Sequence, residues 1–184
     1  MKTIDRIIDD VLKAEGGFVD DPTDAGGATN YGISLRYAKG IGLDLDGDGD
    51  TDRDDIVLVT PETARKLYLH DFYYEPRLDK LPPELQPQMV DFAVNCGAPK
   101  AIEALQRTLN RRFGCDLIED GRMGPSTRVA AERSCADFGW VRVNNDLVDA
   151  RVLYYRAIVN TKPAQAKFLA GWTKRAEEFR VRAA

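Results

Sequence analysis

Seven aspartates fall within residues 44–55, in the run DLDGDGDTDRDD. No folded core can hold such a segment. Carboxylates this close repel one another, and burying even one without a partner is costly. The run must lie at the surface, with regular structure built on either side of it. The spacing says more. Aspartates at alternate positions, a glycine sixth and a carboxylate twelfth are what a cation-binding loop needs. Asp44, Asp46 and Asp48 take positions 1, 3 and 5, Asp52 takes position 9, and Asp55 takes position 12. Asp50 offers its backbone carbonyl at position 7, Gly49 makes the sharp turn, and Ile56 packs inward. A structural Ca2+ is the expected occupant, and a solvated acidic loop is the alternative. The segment before the run is Gly-rich rather than helical, so a sensor role is not expected.

On either side the chain reads as helix. Ile4, Ile7, Ile8, Val11 and Leu12 repeat at the helical period, and Gly16–Gly17 stops the pattern. Residues 18–34 are rich in Gly, Pro, Asp and Thr, which predicts loops or a short hairpin. A second loop covers residues 39–55. Thr60 caps a further helix with Pro61 at its first position. Later helices are expected over about 84–95, from Pro99, from Gly124–Pro125, over 145–160 and over 163–182. Leu105, Leu109, Val129 and Ala130 are read as core, as are Phe168, Leu169, Trp172, Ala176 and Phe179 on one face of the last helix. The fold class is mainly α, a helical bundle with a small irregular or β portion near the front.

Composition narrows the function classes. No apolar run approaches the roughly 20 residues of a membrane helix. The first residues lack the layout of a signal peptide, because Asp5, Asp9 and Asp10 interrupt them. Synthesis in the cytoplasm is therefore expected. Cys96, Cys115 and Cys135 fit no zinc spacing and are read as buried free thiols, and His70 as a partly buried structural residue. From Arg151 onward there are eight Lys or Arg and two Glu, while the net charge is −4, so an acidic front precedes a basic tail. The basic positions do not alternate with stacking aromatics, which argues against a nucleic-acid role.

Glu15 closes the first helix, at the end that carries partial negative charge. That position disfavours the ionised carboxyl, and Phe18 and Tyr31 would add desolvation in the same direction. A carboxyl that keeps its proton is the general acid of glycoside cleavage. The two glycines after it let backbone approach a bulky sugar. A second group must activate water or stabilise the transition state, and Asp20, Asp21, Asp24 and Thr29 are all within loop reach. Residue types alone leave the ordinary reading open, a solvated glutamate at a helix end.

The stretch EGGFVDDPTDAGGATNYGIS, residues 15–34, resembles the signature of glycoside hydrolase family 108, lysozyme-like N-acetylmuramidases. VNCGAPKAIEALQRTLN and DGRMGPSTRVAA resemble the peptidoglycan-binding domain that follows in that family. The resemblance implies an α+β lysozyme-like fold with a catalytic domain over 1–95 and a helical peptidoglycan-binding domain over 96–184. It implies cleavage of the β-1,4 bond between N-acetylmuramic acid and N-acetylglucosamine, in the manner of a phage endolysin acting on the wall after release. Glu15 matches the catalytic acid, and Asp24, Thr29, Tyr31 and Gly32 match positions near the cleft. Asn95, Gln106, Asp120 and Thr127 are weaker candidates for contact with peptidoglycan. The basic last helix adds a possible anionic envelope surface as partner, and a monomer is expected. Two other readings stay open: a lytic transglycosylase, which leaves anhydromuramic ends, and a calcium-stabilised wall-binding protein without turnover.

Overall fold

The computed structural model describes residues 2–20 and 27–182. Two compact units emerge: Asp5–His70, and Asp71–Ala184 together with Met1–Ile4. Among the described residues, no helix is long and apolar enough to cross a membrane.

In the first unit, α1 (Ile4–Glu15) buries Ile7, Ile8, Val11 and Leu12, the face its periodicity predicts. Arg65 pairs with Asp5 and Asp9, tying α1 to α4 (Pro61–Leu69). The expected hairpin is present, as β1 (Thr29–Asn30) against β2 (Ile33–Ser34), antiparallel, with Asn30 opposite Ile33. Its two turn residues, Tyr31 and Gly32, have φ of 49° and 78°. Left-handed backbone at both positions matches the right-handed twist of the strands. A short α2 (Leu35–Ile41) follows, capped by Ser34, whose hydroxyl accepts from the Tyr37 N–H, and closed by Gly42. The expectation of loop from residue 39 onward misses the end of this helix. α3 (Arg53–Leu58) then grows directly from the acidic run, with Asp52 as N-cap and Asp55 completing a capping box. The periodicity of so short a segment is invisible, so its helical state is not legible in the sequence. Thr60 and Pro61 open α4 as expected.

The second unit is helical throughout its described elements. α5 (Gln86–Cys96) packs on α6 (Ala98–Phe113). α8 (Trp140–Thr161) packs against α6, α7 (Pro125–Phe138) and α9 (Ala166–Glu177). Leu105, Leu109, Val143, Leu147, Val148 and Tyr155 are buried there. The phase of α7 differs from the expectation. Thr127, Ala131 and Ser134 face inward, while Val129 is 38% exposed, so the buried stripe follows the small and hydroxyl residues rather than the apolar pair. α9 buries Ala176, with Phe179 just beyond it, but Phe168 stays 44% exposed and stacks on Trp172. The three cysteines are free and only partly covered, and His70 is exposed, so neither sits as deep as expected.

A buried polar cluster escaped the sequence reading. Arg151, fully buried on α8, pairs with Asp91 on α5, and Arg175 on α9 bonds the same carboxylate at 2.9 and 3.0 Å. The Arg151 Nε donates to Tyr155 Oη, which donates to Asn95 Oδ1 at 2.7 Å. Its Nη1 has no hydrogen-bond partner, but the guanidinium lies 5.0 Å from the Phe92 ring centroid and 5.8 Å from that of Phe179. Ring faces compensate part of what that nitrogen lacks.

Candidate active site

Glu15 is the last residue of α1, and the chain turns away at Gly16 with φ 76°. Only a residue without Cβ adopts that turn at no cost. The segment beyond it is held at two points. Val19 exchanges backbone hydrogen bonds of 2.8 Å with Thr29 on β1, and Asp20 pairs with Arg53 at 2.6 Å. Arg53 also covers the Phe18 ring at 5.2 Å. The hairpin tip thus comes back to the end of α1.

The approach is tight. A Cβ placed on Gly32 would stand 3.0 Å from Glu15 Cγ, 3.3 Å from its carboxyl carbon and 2.2 Å from Tyr68 Oη. Glu15 and Tyr68 therefore both pack on the Cα of Gly32. Tyr68, on α4, is buried, and its phenol is pushed up to about 12, by burial first and by the charge of Glu15 second. It keeps its proton at any physiological pH. Glu15 itself is exposed. A groove of about 540 Å³ runs beside this turn, lined by Leu12, Lys13, Gly16, Gly17, Tyr31 and Pro61 among others. Glu15 lies next to the groove in sequence but does not line it.

Of the residues expected here, the structure brings together Glu15, Tyr31 and Gly32. Thr29 sits on β1, with its hydroxyl 3.4 Å from the Gly27 carbonyl. Asp24 and Asp21 lie outside the described residues. Tyr68 was not anticipated, since nothing in KLYLHDFYYEP separates it from an ordinary core tyrosine. Asn30 was also missed. It is buried, and its side-chain N–H donates to the carbonyls of Ile56 and Val59 at 3.0 Å each. The Ile56 carbonyl also accepts the Val59 N–H at 3.3 Å, so Asn30 adds to the closure of the α3 C-terminus. The hairpin is thereby fastened to the helix that the acidic run begins.

That run is folded by bonds between its own carboxylates and backbone. Asp44 accepts the N–H groups of Gly47 and Gly49 at 2.6 and 3.1 Å, Asp46 accepts that of Asp48, and Asp48 that of Asp50. Carboxylate oxygens of Asp44, Asp46 and Asp48 lie within 4.8 Å of one another, as do those of Asp50, Asp52 and Asp55. Asp55 is buried and accepts from Asp52 and Leu45 at 2.8 and 2.5 Å, which holds its carboxyl below the usual range. Asp50 is shifted upward, chiefly by the charge of Asp48. An all-oxygen donor set under mutual repulsion fits a hard divalent cation.

In the second unit, Gln106 is buried and fully bonded. Its amide N–H groups reach Asp120, the Arg122 carbonyl and Thr127 at 2.9, 3.1 and 3.1 Å, and its oxygen accepts from the Gly121 N–H. Gly121 leaves 2.6 Å between a notional Cβ and the Pro99 carbonyl oxygen. These residues clamp the DGRMG turn onto α6, and Gln106 and Thr127 have no bonding capacity turned outward. Asn95 accepts from Tyr155 and Cys96.

Residues 8–97 match the family described as Glycosyl hydrolase 108. That segment of the chain carries the family's domain. Residues 100–177 match a second family, described as "Predicted Peptidoglycan domain". The chain is also similar to the solved "Structure of Brucella abortus SagA", at 25% identity and a TM-score of 0.63, over 97% of this chain and 96% of that one. No curated protein matches it. Family and architecture together make the chain a glycoside hydrolase directed at peptidoglycan, with a mainly α, lysozyme-like fold.

Proposed function

We propose that the chain hydrolyses the β-1,4 bond between N-acetylmuramic acid and N-acetylglucosamine, with Glu15 as general acid. The observation that carries this reading is the convergence at Gly32. The bare Cα lets Glu15 and the protonated Tyr68 hydroxyl both pack against it, and the residues that follow Glu15, Gly16 and Gly17, line the neighbouring groove together with Tyr31. Glu15 donates its proton to the bridging oxygen as the bond lengthens and positive charge grows on the sugar. Tyr68, neutral throughout, supports the carboxyl without competing for the proton. Water then completes the reaction. The group that guides it is drawn from Thr29 and the aspartates between Val19 and Gly27, of which Asp20 is engaged by Arg53.

Glu15→Gln tests this. The side chain is exposed, so the variant folds normally, and lysis of purified peptidoglycan falls by at least about a hundredfold. Mass spectrometry of the wild-type products shows reducing muramic ends. Retained lysis in the variant removes Glu15 as the acid, and anhydromuramic ends in the products make the enzyme a lytic transglycosylase.

We further assign the acidic run to a structural Ca2+, held by Asp44, Asp46, Asp48, Asp52 and Asp55 with the Asp50 carbonyl. The ion neutralises the loop from which α3 starts. The substrate lies outside the cytoplasmic membrane, so this reading places the enzyme at the wall, reached by release or export in the manner of an endolysin. The basic tail supports an anionic surface less than its composition suggests, since Arg175 is committed to Asp91 and Arg180 to Asp149 and Glu177.

A further inference from the structure

We propose that a groove between α6 and α8 binds the stem peptide of peptidoglycan; this rests on the peptidoglycan reading above and gives it a location. The groove measures about 650 Å³ and lies wholly within the segment matched to the peptidoglycan family. Small side chains make it, with Ala104 on α6 facing Ala150 and Ala157 on α8. Where two helices pack through large residues, such a space is filled. Here it is open, and Leu153 at its edge is 62% exposed while Tyr154 lines it.

The charge around this apolar floor selects the occupant. Arg112 pairs with Asp146 at 2.8 Å, and Arg107 pairs with Glu103 at 2.6 Å. Arg111 also lines the groove, and makes no ion pair or hydrogen bond among the described residues. A rim carrying both signs, with one cation in excess, suits a ligand that carries both signs with carboxylates in excess. The glycan backbone of peptidoglycan is nearly free of charge. Its short stem peptides carry free carboxylates and, in the diamino acid, an ammonium group, interspersed with alanine methyls. The methyls match the alanine floor and Leu153, and a carboxylate matches Arg111, whose planar fork takes two oxygens at once. Gln106 and Thr127, closed within their own turn, leave recognition to this face.

The test uses the full chain carrying Glu15→Gln, so that binding is read without cleavage. The probes are purified sacculi and the same sacculi stripped of stem peptides by an amidase. The parent pellets with intact sacculi and binds stripped ones at least about tenfold more weakly. Arg111→Glu and, separately, Leu153→Asp lower binding to intact sacculi by a similar factor with unchanged melting temperature, because both side chains are exposed. If stripping makes no difference, or if both variants bind as the parent does, the groove assignment falls while the peptidoglycan reading stands. If the parent pellets with neither preparation, both fall together.

Discussion

Gly32 shows how much a single missing methyl group decides. Gly32→Ala forces a left-handed residue with a side chain, a cost of about 1 kcal/mol, and drives its Cβ to within 2.2 Å of the Tyr68 hydroxyl. We expect hydrolysis to drop by at least about tenfold, and adding Tyr68→Phe to restore part of it, since the closest oxygen is then gone. Lysis rates of the single and double variants check this, and no recovery in the double variant means that backbone strain alone is responsible. Tyr68 also sets a pH limit. An unfolded tyrosine titrates near about 10, and in the folded chain this one is raised to about 12. A raised value means that its contribution to stability is complete below the lower figure and lost as pH climbs to the upper one. Urea unfolding from neutral to strongly alkaline pH therefore shows stability falling over that window, with a shallower fall in Tyr68→Phe. Glu15 was legible from sequence because a helix end followed by a glycine pair leaves a local mark, whereas Gly32 was expected only from the resemblance to the family 108 signature. Tyr68 and Asn30 were not, since each acts through partners 26 to 53 positions away in the chain.

At the scale of elements, the long helices could be read and the short ones could not. α1, α4, α5 and α6 carry their period, caps and stops within their own residues, and the expected starts fall within two positions of the observed ones. α8 begins five residues before its expected start, at Trp140 directly after Gly139. α3 is six residues long and exists because Asp52 and Asp55 satisfy its first N–H groups. This ties it to the acidic run, and Asn30 ties it in turn to the hairpin. Adding Ca2+ is expected to raise the melting temperature, corresponding to about 2.7 kcal/mol when the ion is a hundredfold above its dissociation constant. A chelator reverses the gain, and Asp44→Ala or Asp48→Ala abolishes it. A melting curve indifferent to Ca2+ in the parent chain overturns the metal assignment.

For the whole molecule, the largest exposure to damage is the buried ion cluster of the second unit. Asp91 answers two guanidinium groups at once, one of them fully enclosed. Removing one partner of a buried ion pair costs about 3–5 kcal/mol, because the remaining charge has no water to turn to. Asp91→Ala should therefore shift the urea midpoint sharply downward, and a shift within error would show that the cluster contributes little to stability. The sequence predicts a helix over 145–160 but gives no sign that Arg151 is one of its inward positions. The first unit carries the opposite design. Under the assignment proposed above, a glycan strand lying over Phe18 and Tyr31 supplies the dry surroundings that the exposed Glu15 carboxyl lacks on its own. Shortening the strand should therefore slow turnover more than it loosens grip.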